Sequence, residues 1–133
     1  MSVRQIERAQ KIVPIVSVQN RYSLSDRGSE EVLEYCEKEE IGFIPWFPLA
    51  AGRLSGPESP LSRVAAQWNA TPSQVALAWL LWRSPVMLPI PGTSSVEHLE
   101  ENAAAADLAI DGDTMRGLAD EVSQAPHASR AGS

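Results

Sequence analysis

Two stretches of this 133-residue chain combine apolar runs with glycine-bearing turns in a way that suits phosphate chemistry. The first, at 44–54, reads Ile-Pro-Trp-Phe-Pro-Leu-Ala-Ala-Gly-Arg-Leu. The second, at 88–102, reads Leu-Pro-Ile-Pro-Gly-Thr-Ser-Ser-Val-Glu-His-Leu-Glu-Glu-Asn and leads straight into a capped helix. An apolar run that opens into a glycine loop can turn backbone N–H groups toward an anion, and a helix N-terminus adds its positive dipole end. Other reactive side chains are sparse: Lys11 and Lys38 are the only lysines, Tyr22 and Tyr35 the only tyrosines, His98 and His127 the only histidines. Cys36 is alone, so no internal disulfide can form, and its place on the apolar side of a predicted helix implies a buried, inert thiol.

Elements able to position those turns are legible from periodicity and caps. Apolar residues at helical spacing predict a helix over 3–12, and the β-branched run 13–19 predicts a strand. Ser29 can cap a helix reaching about residue 40, with Val32, Leu33, Tyr35 and Cys36 as its buried stripe. The unbroken apolar run 42–47 predicts a second strand buried on both faces, as in a parallel sheet covered by helices. A long loop follows to Pro60, then a short helix over 61–68. Thr71, Pro72 and Gln74 form a capping box with proline at the first helical position, opening a nearly all-apolar helix to Arg83. Residues 86–89 predict a third strand, Ser94 to Glu97 a capping box for a helix to about 106, and Asp111 the cap of a last helix over 114–122. Strands alternating with helices imply parallel strand–helix units.

Composition bounds the function classes. With 17 acidic and 11 basic residues the net charge is −6, which argues against nucleic acid as a partner but leaves room for one nucleotide held by backbone amides. A hydrophobic fraction of 44% beside 21% charged residues is that of a globular chain. There is no secretory signal and no apolar run long enough to span a bilayer, so the expectation is a cytoplasmic protein with no membrane partner. Residues 61–83 have the outline of a helix-turn-helix, but the second helix is apolar on nearly every face and leaves no side chains to reach bases.

In order and spacing the chain resembles the C-terminal part of an aldo-keto reductase. Val16-Ser-Val-Gln-Asn-Arg-Tyr-Ser-Leu24 resembles that family's sixth strand and loop, 44–54 the seventh, 86–102 the eighth, and Gln74-Val-Ala-Leu-Ala-Trp-Leu-Leu81 the seventh barrel helix. The fold so implied is α/β: a partial TIM (β/α)8 barrel, about three parallel strands with covering helices over 1–122, followed by a disordered tail at 123–133. A whole barrel needs roughly 250 residues.

The resemblance implies a cofactor, NADP(H), with NAD(H) as the alternative, and a set of residues for it. Gln19 takes the place of the residue that hydrogen-bonds the nicotinamide carboxamide, and Trp46 that of the ring stacking on the nicotinamide. Phe47, Leu49, Gly52 and Leu54 lie along the loop approaching the pyrophosphate, with Arg53 a candidate phosphate contact. Gly92, Thr93 and Ser94 stand where the family grips the adenosine 2′-phosphate, His98 where it commonly has arginine, and Glu101 and Asn102 near the adenine edge. Plain alternatives are a solvent-facing Gln19, a core Trp46, and a simple helix cap at Ser94. The basic residue that the family commonly places at position 92 is replaced by glycine, which loosens the preference for NADP(H).

The family's Tyr, Lys, Asp and His tetrad comes from its first four strands, which have no counterpart here, so no catalytic residue and no metal ligand is assigned. The implied function is the cofactor-binding portion of a carbonyl–alcohol oxidoreductase, inactive alone, with a complementing polypeptide as its partner. The alternative is a non-catalytic, truncated module that self-associates through open sheet edges.

Overall fold

A computed structural model of the chain describes residues 1–46, 59–91 and 94–124. Helix α1 spans Val3–Gln10 and is opened by a capping box not anticipated from the sequence: Ser2 Oγ accepts from Gln5 N–H while Gln5 returns a bond to Ser2 N–H. Strand β1 spans Ser17–Arg21, later than the predicted 13–19. The reason is local. The end of α1 winds on through Ile12 and Val13, both bonded to Ala9 O, and pairing starts only where Val16 O accepts from Gly42 N–H.

Helix α2 spans Glu30–Glu39 and ends on Glu40 in the left-handed region (φ 55°). Ser29 precedes it without capping it; its hydroxyl instead accepts from the amide of buried Asn20 on β1. Strand β2 spans Gly42–Trp46 and pairs in parallel with β1, Ser17 opposite Gly42 through Arg21 opposite Trp46. The third predicted strand is reduced to a parallel bridge, Phe43 to Met87, flanked by Phe43 N–H to Val86 O and Leu88 N–H to Phe43 O.

The expectation that β2 is buried on both faces is corrected. Phe43 and Pro45 are buried, Ile44 is half-buried and Trp46 is exposed, so burial alternates with the pleat. One face meets the helices; the continuous apolar run includes a face that the described helices leave uncovered.

Helix α3 spans Pro60–Gln67, capped by Ser59. Helix α4 spans Pro72–Arg83, and its predicted box is complete: Thr71 Oγ1 accepts from Gln74 N–H, and Gln74 Oε1 accepts from Thr71 N–H. Val75 to Leu80 are buried in succession, whereas Leu81 and Trp82 reach the surface. Helix α5 spans Val96–Ala104, followed by a single 3-10 turn at Ala105–Asp107. Its cap is Ser95 rather than Ser94; Ser95 Oγ accepts from His98 N–H. Two adjacent serines offer equal caps, and the register is set where Glu101 O on α5 receives a bond from Gln74 Nε2 on α4. Helix α6 spans Gly112–Gln124, two residues past the predicted end, with Asp111 bonded to both the N–H and the hydroxyl of Thr114.

The core lies between the strands and α4. Tyr22 stacks on Trp79 (centroids 6.1 Å, 15°) and meets Phe43 edge-on (5.7 Å, 81°). Such pairs add to the area they bury. Cys36 is fully buried, and burial raises its thiol pKa.

Candidate functional site

Parallel pairing sends the carboxyl ends of β1, β2 and the 86–88 segment to the same side of the fold. That end is where open α/β sheets place their ligands. Because β1 alternates, Val18 and Asn20 turn toward the helices while Ser17, Gln19 and Arg21 lie on the opposite, exposed face. Gln19 is opposite Ile44 and Arg21 opposite Trp46, so these four form one patch. Leu88 extends it: Gly42 lacks a side chain where Leu88 Cδ1 passes, 2.9 Å from where a Cβ would sit.

Among the described residues the Gln19 carboxamide has no hydrogen-bond partner. Trp46 keeps 45% of its surface. Gln19 thus offers an amide able to donate and accept, and Trp46 an exposed aromatic surface. Arg21 was not anticipated. Its guanidinium carbon lies 5.6 Å from the Trp46 ring centroid and its Nε lies 2.8 Å from Asp26 Oδ2. The available signal was strand period: two residues beyond Gln19 returns to the same face.

The second half of the predicted site is on α5. Ser94 and His98 are exposed. Glu101 is tied into the scaffold: its Oε1 accepts from the Thr71 hydroxyl at 2.6 Å, and its carbonyl accepts from Gln74. Asn102 lines a groove of about 280 Å³ with Leu77, Leu81, Pro89, Pro91, Leu99 and Ala103, between α4, α5 and the segment after the bridge. Phe47, Leu49, Gly52, Arg53, Leu54, Gly92 and Thr93 lie outside the described residues, so the two glycine turns themselves are expectations from sequence.

Tyr22 is fully buried and donates to Glu30 Oε2 at 2.6 Å; burial, then the Glu30 carboxylate, push its pKa above the ordinary phenol range. It is a structural hydroxyl. Tyr35 donates to Gln10 across α1 and α2. Among the described residues no three His, Cys, Asp or Glu side chains gather to hold a metal, and no helix is long and apolar enough to cross a membrane.

The model of the aldo/keto reductase family matches residues 1–121. The chain belongs to that family. It is 49% identical over 121 residues to an uncharacterized oxidoreductase of Schizosaccharomyces pombe, covering 91% of this chain and 40% of that protein. It is 46% identical over 114 residues to pyridoxine 4-dehydrogenase of Escherichia coli, covering 86% and 40%. Among solved structures, an aldo-keto reductase from Klebsiella pneumoniae in complex with NADPH superposes with a TM-score of 0.82 at 28% identity, covering 92% of this chain and 46% of the other. A thermostable aldo-keto reductase in complex with the inhibitor epalrestat gives 0.81 at 33% identity, covering 90% and 45%. The chain thus spans about 40% of the length of the curated aldo/keto reductase relatives it matches, and its fold is part of their (β/α)8 barrel.

Proposed function

We propose that this chain supplies the nicotinamide-dinucleotide-binding portion of an aldo/keto reductase barrel. The observation that carries the reading is the placement of Gln19 and Trp46 on one open face at the carboxyl ends of paired parallel strands. The donor set fits the group: the Gln19 amide matches a carboxamide, and the Trp46 indole offers surface to a flat ring. When bound, the cofactor supplies a hydride acceptor or donor. Ser94 and His98 beside the start of α5, with Gly92 and Thr93, would hold a 2′-phosphate, and Asn102 with Glu101 the adenine edge. NADP(H) is the preferred cofactor, in line with the NADP or NADPH bound in several structural neighbours, and NAD(H) the alternative because Gly92 and His98 replace basic groups.

The proton donor of the family's chemistry lies outside this chain, so the chain binds without turning over. Calorimetric titration with NADPH should give saturable binding, and assays with simple aldehydes should give no turnover. Turnover by the chain alone, or no binding, overturns this reading.

A second reading has its own observation. Ile12, Val16, Leu88, Ile90, Val96 and Leu99 are each more than half exposed, and bare apolar side chains that gather into one patch mark association sites. The chain would then act as an association module, pairing its open edges with a second copy or with further strand–helix units. Sedimentation showing a clean monomer contradicts it.

A further inference from the structure

Arg21 has no assigned role, yet its guanidinium packs beside Trp46. It faces Trp46 across the strand pair, 5.6 Å from the ring centroid, and pairs through Nε with Asp26 Oδ2 at 2.8 Å. Asp26 is itself fixed by a tight turn. Its N–H bonds Ser23 O and Ser23 Oγ, each at 3.1 Å, its carbonyl receives Ser23 N–H at 2.9 Å, and its Oδ1 receives Gly28 N–H at 3.3 Å. The guanidinium is therefore held in place by that turn.

A nicotinamide ring carries one positive charge when oxidised and none when reduced. A fixed cation packed against the ring's aromatic platform repels only the oxidised form. Asp26 offsets that field without cancelling it, because it is the guanidinium that packs on the indole.

We propose that Arg21 sets the redox-state preference of this site: it holds the Trp46 ring and biases binding toward the reduced, uncharged nicotinamide. The proposal rests on the reading that Gln19 and Trp46 receive the nicotinamide. It adds that the site is built to take the hydride donor in and let the oxidised product go.

The test is calorimetric titration of the full chain with NADPH and, separately, with NADP⁺, on the native chain and on Arg21→Met and Arg21→Lys. The native chain should bind NADPH more tightly. Arg21→Met should narrow the ratio of the two Kd values by about threefold, as expected for one screened charge some way from the ring. Arg21→Lys should retain the ratio, and added salt should narrow it in the native chain. If Arg21→Met weakens both forms equally, or if Arg21→Lys narrows the ratio as Arg21→Met does, the residue is a packing element and the proposal fails while the nicotinamide site stands. If neither form binds the native chain, the site reading fails and this inference with it.

Discussion

The Tyr22 hydroxyl donates to Glu30 across 2.6 Å, and the other oxygen of Glu30 is held by Arg83, which also bonds Glu37 at 3.0 Å. This chain of contacts locks the end of β1 to α2 and to the C-terminus of α4. Burial alone would lower the Arg83 pKa; the hydrogen bond and charge of Glu30 outweigh it and raise it. Removing Arg83 strands two carboxylates in a half-buried setting. Arg83→Met should therefore destabilise the fold by about 2–3 kcal/mol, against about 1 kcal/mol for Tyr22→Phe, which leaves the ion pair intact. Urea unfolding of both variants checks the order.

Thr71 does two jobs at one helix end. Its hydroxyl accepts from Gln74 N–H, as a cap, and donates to Glu101 on α5. Thr71→Ala should cost about 1–2 kcal/mol through the lost cap. Thr71→Asp should restore the cap yet repel Glu101, so it should recover only part of that loss. Equal stability of Thr71→Asp and the native chain in thermal melts would show that the Thr71–Glu101 bond contributes nothing.

Asp111 makes the fold acid-sensitive in a defined direction. The N–H and hydroxyl of Thr114 hold its carboxyl below the ordinary aspartate value. A depressed folded pKa means stability that is complete above the unfolded value and lost as pH falls through the folded one. Asp111→Asn should lower stability at neutral pH and flatten the acid limb of the curve of urea midpoint against pH. An unchanged acid limb in Asp111→Asn would place the sensitivity elsewhere.

Local signals carried most of the fold into view. The Thr71-Pro72-Gln74 box marked the start of α4, and the unbroken apolar run at Gly42 marked β2. Errors arose where tertiary context decides. The β-branched residues Val13 and Val16 read as strand, but pairing is set by the length of β2, and both are left exposed. Ser94 and Ser95 are interchangeable as caps until α4 fixes the register. Residues 86–89 read as a strand from their own sequence but form only a bridge, because Met87 N–H turns back to Ser84 O and, among the described residues, only Phe43 pairs with the segment. Of the proposed site, Gln19 and Trp46 are expectations from the family resemblance, while Arg21 enters only through cross-strand register.

Joint contact of Gln19 and Trp46 with the nicotinamide is the proposal on which the binding role rests. The most direct measurement is nitrogen–proton correlation NMR of the chain titrated with NADPH. Saturable shifts of the Gln19 side-chain amide and the Trp46 indole N–H are expected, with the Trp79 indole in the core unmoved. Shifts confined to α3 and α6, or none at saturating NADPH, would contradict it.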